Sequence, residues 1–423
     1  MKLDKKILFS FVLIFITIQM YAQFSVDLDM RSRAGYWNGY KTLPTSETNA
    51  ATLISQRSRI NFNYTNDNLS ARVSLQDARV WGQNNNDFNS IHEAWINYNF
   101  NKSLSVKIGR QTLSYDNKRL LAKSNWNLTD ISHDVALVMY KKNDFQAHLG
   151  YAVYNNGAPA SKFLEVYQGG KYDTKELAFL WLKHSFLEKK LNVSFMSIVD
   201  GTQQIENEIT NPEQVNYRYT VGPYIKYQQD KIMLSVQYYH QAGTTAFDND
   251  ISANLFGAVA KYSFSKTFNL STGYDFLSGT DYDANNTSTE NNTFCKLFGS
   301  GHGFFGYLDY FGTPSAHGAG LSDIFIRAQG KLPYKLSYQL TYHNFSLDQE
   351  YLKLGEKVDK GLGSEIDLTI SHKLADNATI MVGYSTFFAT ESMEILKNVG
   401  ADNSEMPSFL YLQLNFTPNI FKQ

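Results

Sequence analysis

Charged residues recur at every second position in several segments of the chain, with apolar residues between them. In residues 24–31, the even positions are apolar and the odd positions are polar or charged, and Arg33 continues the series. Arginine stays charged in any protein environment and binds carboxylates and phosphates through paired hydrogen bonds. A row of arginines along an enclosed face would therefore attract anions and repel cations.

The same alternation predicts which side chains share the enclosed face and line a path for solutes. They are Arg31, Arg33, Arg57, Arg59, Arg72, Glu93, Lys107, Arg218, Lys226 and Arg327, accompanied by Asp27 and Asp29. Two interpretations stay open. The charges form an anion-selective pore, or arginines and carboxylates on neighbouring strands pair in a salt-bridge ladder that only stiffens the wall, since inward charges need partners in either case.

Enzyme chemistry finds little support. The nine histidines are scattered, and none has the spacing of a metal-binding motif such as HExxH. His92 and Glu93 are neighbours in a predicted strand, where adjacent side chains point to opposite faces. No nucleophile can be matched to His148 or His372. We expect no catalytic residue, no metal site and no cofactor, and the single Cys295 excludes an internal disulfide.

A glycine- and aromatic-rich segment, Gly299–Gly320, contains His302 and His317. One interpretation is a loop folded into the lumen as a gate or sugar-stacking surface. The other, slightly favoured, is a surface loop anchored at the membrane interface, because aromatic residues collect at bilayer edges.

The elements that position these residues are predicted to be β-strands. Period-two alternation persists from residue 24 to Phe416, and turns such as Asn66-Asp67-Asn68 and Lys142-Asn143-Asp144 join the segments in pairs. We count about eighteen strands, an even number typical of bacterial outer-membrane barrels. The predicted fold class is all-β, a transmembrane antiparallel β-barrel.

The connections between strands are asymmetric. Every second connection is a short turn of roughly two to five residues, whereas the others are long and polar, as in barrels with short periplasmic turns and long extracellular loops. The long loops are predicted at Gly35–Ala51, Gly82–Asn89, Leu113–Asp130, Asn155–Lys175, Gly201–Gln214, Thr280–Ala319, Leu347–Gly361 and Thr390–Met406.

Composition agrees with this interpretation. There are 28 Tyr and 29 Phe, residues that favour strands and membrane interfaces. The mean hydropathy of −0.36 is too polar for a bundle of transmembrane helices, but a barrel exposes only alternate residues to lipid. The formal charge of −1 gives no global field that would favour nucleic acid as a partner.

The first 22 residues resemble a secretory signal. Lys2, Lys5 and Lys6 precede the apolar run Ile7–Ile18, and Tyr21-Ala22 offers a cleavage point. We predict a signal peptide at 1–22 and a barrel domain at 23–423, located in the outer membrane of a diderm bacterium.

Several short stretches resemble the alginate export family, whose barrels carry a GRQxLxY motif followed by RL. The matching residues are Gly109–Asp116, Arg119-Leu120, Asn125-Trp126-Asn127, His133-Asp134-Val135 and the aromatic segment Gly303–Phe311. The resemblance implies an eighteen-stranded, monomeric outer-membrane barrel with an Arg/Lys-lined conduit for an anionic polysaccharide. It also places Arg110 and Arg119 at motif positions along that conduit.

The predicted function is passive passage of anionic polysaccharide or small anionic solutes through the lumen. The alternative is a closed barrel that acts as a scaffold or surface binder through its long loops. The expected partners are membrane lipid, anionic saccharides or small anions, and periplasmic secretion or uptake components, with no nucleic acid among them.

Overall fold

A computed structural model describes residues 23–83, 89–154, 174–206, 209–281, 290–312, 315–353, 356–400 and 403–423. The predicted leader and most of the predicted loop Asn155–Lys175 lie outside the described residues. No helix in the described part of the chain is long and apolar enough to cross a membrane.

Almost all regular structure is β. In chain order the strands are β1 Gln23–Asn38, β2 Ala51–Asn66, β3 Leu69–Val80, β4 Ser90–Asn99, β5 Leu104–Gln111, β6 His133–Lys142, β7 Phe145–Val153, β8 Thr174–Phe186, β9 Leu191–Glu206, β10 Ile209–Gln229, β11 Ile232–Thr244, β12 Asp250–Ser265, β13 Phe268–Leu277, β14 Glu290–Asn291, β15 Leu321–Leu332, β16 Leu336–Ser346, β17 Tyr351–Lys353, β18 Glu356–Val358, β19 Gly361–Ala375, β20 Ala378–Ala389, β21 Ser408–Phe416 and β22 Asn419–Lys422. A short helix, α1, spans Glu391–Leu396, and a 3₁₀ turn spans Ser315–Gly318.

Eighteen strands close into one antiparallel barrel, as the sequence predicts. The first strand, β1, pairs with β2 from Gln23↔Thr65 to Trp37↔Ala51 and with β21 from Met30↔Phe416 to Asn38↔Ser408. The short β22 continues the last strand along β1, and β17–β18 form a separate hairpin in a loop. Closure leaves no unpaired edge, which a membrane-spanning sheet requires.

The barrel is apolar outside and polar inside. Outward residues such as Ile96, Ile108 and Leu149 are 57–59% exposed, whereas inward Arg57 and Arg59 are each 2% exposed. Large exposed aliphatic side chains around a whole barrel need a non-aqueous surrounding, and the bilayer provides it. Alternate residues of each strand therefore face lipid and lumen.

The two ends of the barrel differ as the sequence predicts. At one end, turns of two to four residues connect the strands, and Asp67, Asn143 and Asp230 adopt left-handed backbone there. The opposite end carries the long connections, with two exceptions. Residues 245–249 join β11 to β12 in a short connection. The predicted loop Gly201–Gln214 is wrong, because β9 and β10 extend into this range and pair as far as Ile209↔Glu206.

Outward-facing side chains mark the edges of the membrane. Near the short turns, aromatic rings pair on the outer face, for example Tyr262 and Phe264 at 4.8 Å between centroids. Near the long loops, outward polar groups pair instead, such as Arg110 Nη1 with Asp134 Oδ2 at 3.2 Å. The apolar belt lies between these two zones.

Two long loops fold into the lumen instead of covering the surface. They connect β5 to β6 and β13 to β15, and they contribute buried apolar side chains to one core inside the barrel. The most buried include Leu113, Leu120, Leu121, Phe294, Phe305, Leu308 and Tyr310. The lumen is thus a packed and shaped space, and these loops position the candidate site.

Candidate functional site

The arginines of β1 and β2 form a cluster on the inner wall. Arg57 and Arg59 each contact Asp29, at 3.3 and 3.5 Å, and Arg59 also lies 3.8 Å from Asp130, whose side chain is fully buried. Burial raises the pKa of the Asp130 carboxyl above its usual value, while the two arginines oppose that shift. This part of the wall corresponds to the salt-bridge ladder, and its charges are largely compensated.

Arg31 and Arg33 hold the β5–β6 loop against the wall. Arg31 donates hydrogen bonds to the backbone oxygens of Asn125, Trp126 and Asn127. Arg33 donates to the Trp126 oxygen at 3.0 Å and lies over the Trp126 ring at 3.5 Å. Neither arginine has a carboxylate partner among the described residues, so both bring net positive charge to the inner face.

A β-bulge brings two neighbouring residues of β4 to the inner side, although the sequence predicts that they point to opposite faces. The register between β3 and β4 shifts at Ser74/Leu75, and both His92 and Glu93 are buried as a result. His92 lies 3.8 Å from Asp130, and Glu93 forms an ion pair with Arg72 at 3.0 Å. The two neighbours therefore serve the same inner network, although regular alternation would separate them.

Arg119 is a loop anchor that the solvent does not reach. Its side chain and that of Asp275 on β13 are each 5% exposed, and the two form an ion pair. The Arg119 guanidinium also lies 3.4 Å from the centre of the Phe304 ring. The sequence expectation that Arg119 lines the path is thus corrected, because the residue links both inward loops to the wall.

The glycine- and aromatic-rich loop is docked on a buried carboxylate. Glu365 of β19 accepts the backbone N–H groups of Tyr307 and Leu308, at 2.5 and 2.8 Å. Gly306 beside it has φ +82°, and a Cβ there would lie 2.3 Å from the Glu365 carboxylate. The favoured interpretation of an interfacial surface loop is wrong, because the loop lies in the lumen.

The two inward loops also bind each other. Phe298 N donates to Leu120 O and Ala122 N donates to Phe298 O, both at 3.0 Å, around a parallel bridge between Leu121 and Phe298. Ser300 N donates to Lys118 O at 3.0 Å. These bonds join the two loops into one hydrogen-bonded unit that narrows the lumen, here called the partition.

A cavity of about 790 Å³ lies on the short-turn side of this partition. Five basic side chains line it, namely Arg33, Lys118, Lys123, Lys266 and Lys331. No aspartate or glutamate appears in its lining within the described part of the chain. Of the five, only Arg33 is in the predicted set. Lys331 follows Arg327 on the same inward-facing alternation of β15, and this alternation is the signal that could have identified it.

A second cavity, of about 550 Å³, lies on the other side of the partition. Its lining includes Arg218, Phe247, Cys295, Phe298 and His317. Arg218 is ion-paired with Asp200 at 2.6 Å. Segment 297–302 thus separates the two spaces, with Phe298 facing one and His302 the other.

The remaining predicted path residues fall in different places. Arg327 points inward and donates to the Thr341 hydroxyl at 3.1 Å, and Lys107 lies over the Trp95 ring at 3.8 Å. The pairing of β10 with β11 puts Lys226 on the inner face opposite Ser235.

Arg110, by contrast, lies on the outer face, 43% exposed. The register of β5 is regular on both sides, so no bulge turns it inward, and its assignment to the path is corrected.

No cluster of His, Cys, Asp and Glu among the described residues could hold a metal ion. Burial lowers the pKa of His302, which hydrogen-bonds Asp309 at 3.0 Å. Burial, reinforced by the nearby Arg119 charge, lowers the pKa of Lys296 to about 8. These shifts belong to groups that hold the loop together.

A closed eighteen-stranded barrel with an apolar exterior and a polar, loop-partitioned lumen defines an outer-membrane channel of a Gram-negative bacterium. The model of the family described as alginate export matches residues 22–402, and the chain belongs to that family. No curated protein sequence matches the chain significantly.

Solved structures of outer-membrane porins share this fold at low sequence identity. OccK5 (OpdH) of Pseudomonas aeruginosa matches with a TM-score of 0.61 at 12% identity, over 94% of this chain and 99% of its own. OccK9 (OpdG) of the same organism gives 0.62 at 11%, over 94% and 98%. OccD3 (OpdP), also from that organism, gives 0.61 at 13%, over 94% and 92%. At such identities the likeness establishes the fold alone.

Proposed function

We propose that this barrel is a passive, anion-preferring channel, which passes anionic saccharides or small anionic solutes along a lumen lined by Arg and Lys. The observation that carries the proposal is the lining of the larger cavity, with five basic side chains and, among the described residues, no carboxylate. Charges of one sign in a narrow water-filled space attract counter-ions and raise their local concentration.

The near-neutral composition is compatible with this proposal because many inner carboxylates are already engaged. Asp275 pairs with Arg119, Glu365 accepts loop amides, and Asp323 hydrogen-bonds His343 at 2.8 Å. These acids lie buried on the wall formed by β13, β15 and β19, where the loops dock. The cations of the cavity are thus left to face the solute.

The proposed path therefore involves fewer residues than the sequence predicts. Arg33, Lys118, Lys123, Lys266 and Lys331 face the cavity, and Arg31, Lys107, Lys226 and Arg327 add positive charge to the inner wall. Arg57, Arg59, Arg72 and Glu93 mainly brace it. Consistent with family and fold, we propose a monomeric channel without catalytic activity.

The experiment is ion selectivity in planar bilayers under a KCl gradient. Wild-type protein should give a reversal potential of the sign for chloride preference, and replacing Lys123 and Lys331 by Ala should shift it toward zero. Arg110→Ala is the matched control, because it removes one cation from the outer face. A cation-preferring wild type, or an equal shift in the control, would contradict the proposal.

A further inference from the structure

We infer that the barrel binds an anionic phospholipid of the periplasmic leaflet on its outer face, beside the short turns at the ends of β4–β9. Exposed lysines would contact the lipid phosphate, and the aromatic and aliphatic side chains above them would contact the rest of the lipid. The site lies outside the lumen, so it does not depend on which solute the channel passes. Three features of the described structure support the inference.

The first feature is the charge of the short-turn end. The whole chain has 39 basic and 40 acidic residues. The short connections at this end, with the three strand residues on either side of each, contain ten lysines, no arginine and five acids. The lysines are Lys102, Lys141, Lys142, Lys189, Lys190, Lys231, Lys266, Lys331, Lys335 and Lys373, and the acids are Asp67, Asp144, Glu188, Asp230 and Asp376. Lys266 and Lys331 line the solute cavity, whereas the other eight do not. Lysines at a bilayer surface attract anionic lipid.

Most of these lysines lack a compensating acid. Near the long loops, by contrast, an outward cation such as Arg110 is paired with a carboxylate, that of Asp134. Of the ten lysines, only Lys189 and Lys373 form ion pairs with described residues, at 3.9 and 2.7 Å. Both pairs are exposed, and exposed pairs contribute little. The positive charge at this end is therefore available to a phosphate group.

The second feature is the concentration of these lysines in one sector of the barrel. Five of the ten lie at the β4–β5, β6–β7 and β8–β9 connections, here called the basic sector, together with the acids Asp144 and Glu188. Hydrogen bonds bring these connections side by side. Lys141 N donates to Ser103 O at 2.7 Å, and Ser185 N donates to Asp144 O at 3.1 Å. The sector thus presents a continuous surface with a net charge of +3.

The third feature is the order of side chains on the outer face of the basic sector. Lys142 lies opposite Phe145 in the pairing of β6 with β7, and Phe145 lies opposite His184 in the pairing of β7 with β8. The centre of the His184 ring lies 6.4 Å from that of Phe145 and 4.4 Å from that of Phe186. Farther from the turns the outward residues are aliphatic, among them Val138, Leu149 and Leu180. Charged, aromatic and aliphatic groups follow one another with depth, as do the phosphate, ester and acyl groups of a phospholipid.

Charge favours one class of phospholipid over another. Phosphatidylethanolamine carries an ammonium group beside its phosphate, and the lysines would repel that group. Phosphatidylglycerol carries the phosphate with neutral hydroxyls, so its net negative charge matches the basic sector. An acidic periplasmic protein would contact the turns but not the aromatic and aliphatic side chains, which face the bilayer.

The experiment is native mass spectrometry of the full-length protein in detergent, with phosphatidylglycerol and phosphatidylethanolamine of identical acyl chains at equal concentration. Phosphatidylglycerol should bind with at least about tenfold preference, since each lysine near a charged surface contributes about fivefold in affinity. The preference should fall as ammonium acetate rises from about 0.05 to about 0.5 M, because salt screens exposed charges. Equal binding of the two lipids, or a preference that salt does not change, would overturn the inference.

Variants locate the site. Lys102→Ser combined with Lys142→Ser should weaken binding of phosphatidylglycerol at least about tenfold and change that of phosphatidylethanolamine little. Lys357→Ser combined with Lys360→Ser is the matched control, because it removes the same charge from exposed positions near the long loops. An equal loss in the control would contradict the site. Gel mobility before and after heating checks that each variant is folded, and the salt dependence of the wild type tests the inference without any substitution.

A soluble probe separates a lipid site from a plain phosphate site. Glycerol 3-phosphate has the charged group of the lipid without its acyl chains, so an equal concentration should not displace phosphatidylglycerol. Displacement would show that the lysines bind phosphate alone, which would overturn the inference. None of these outcomes changes the reversal potential in KCl, which tests the proposed channel separately.

Discussion

A buried arginine in this barrel has one of two roles, and its partner decides which. Arg59 lies between two carboxylates and is 2% exposed, so its charge is compensated by these two acids of the inner network. Lys123 lines the cavity and has no ion pair within the described part of the chain, so its charge is available to a solute. Side chains of one sign on one face thus divide into bracing and solute-facing groups.

This division predicts the effect of Arg59→Ala. Removing Arg59 leaves Asp130 buried with weaker compensation, which should cost about 3–5 kcal/mol of unfolding free energy. Urea unfolding in detergent micelles, followed by gel mobility, measures that loss. The reversal potential of the folded fraction should stay near the wild-type value. Normal stability with lost anion preference would show instead that Arg59 faces the solute.

Lys296 gives a pH-dependent prediction. Burial lowers its pKa to about 8, against an ordinary value of 10.5, so between these values the unfolded chain binds more protons than the folded one. Stability from this group is therefore lowest below pH 8 and rises toward pH 10.5, by at most about 1.4 kcal/mol per pH unit. The unfolding free energy of wild type relative to Lys296→Met should rise in that window. A flat difference would contradict the assignment.

At the scale of elements, the two inward loops behave as one unit. They pair through their backbones, share an apolar core, and dock on the wall through Arg31 of β1 and Glu365 of β19. The dominant links are polar and directed toward specific wall residues. The position of the partition therefore depends on a few inner acids and bases.

Asp275→Asn tests this dependence. The change leaves Arg119 buried beside a neutral partner, which should destabilise the docked loops by about 3–5 kcal/mol. Single-channel recordings should show larger and noisier conductance. Asp134→Asn is the control, because its pair with Arg110 is exposed and such pairs contribute little. Equal conductance in both variants would mean that the Arg119–Asp275 pair does not hold the partition.

At the scale of the whole molecule, the barrel is stable only with its apolar side in lipid. Ile326 is 51% exposed on the outer face of β15, and its neighbour Arg327 points inward. Exchanging the two residues conserves composition and reverses only their sidedness. An arginine near the bilayer midplane should cost about 2–4 kcal/mol, measured as unfolding from lipid vesicles. Arg327→Ile alone is the control. An exchange that costs no more unfolding free energy than this control would contradict the outward position of Ile326 and the inward position of Arg327.

Much of this architecture could be predicted from the sequence, because strand alternation is local. Each strand repeats apolar and polar residues with period two, and each short turn contains residues that tolerate left-handed backbone. The barrel, its strand count and the side of the wall that most strand residues face follow from that pattern. The expected loop at Gly201–Gln214 failed because polar residues there continue two strands beyond the membrane, where lipid no longer imposes alternation.

The candidate site was less predictable, since it depends on contacts between distant segments. Nothing near Arg119 in the chain indicates Asp275 as its partner, and nothing near Glu365 indicates that two loop amides would bind it. Arg110 has the same residue type as Arg119 yet lies outside, because a regular register carries it to the lipid side. The alternation along a strand assigns each residue to the lipid side or the lumen side, but only the folded structure decides which groups that residue contacts.

The sequence by itself therefore determined the barrel, because hydrocarbon on one side and water on the other impose a rule that each strand obeys independently. Only the tertiary structure decided which inner charges remain available, because that depends on where two loops of low periodicity come to rest. Those loops pack by pairing with the wall, and their position cannot be read from a repeating pattern.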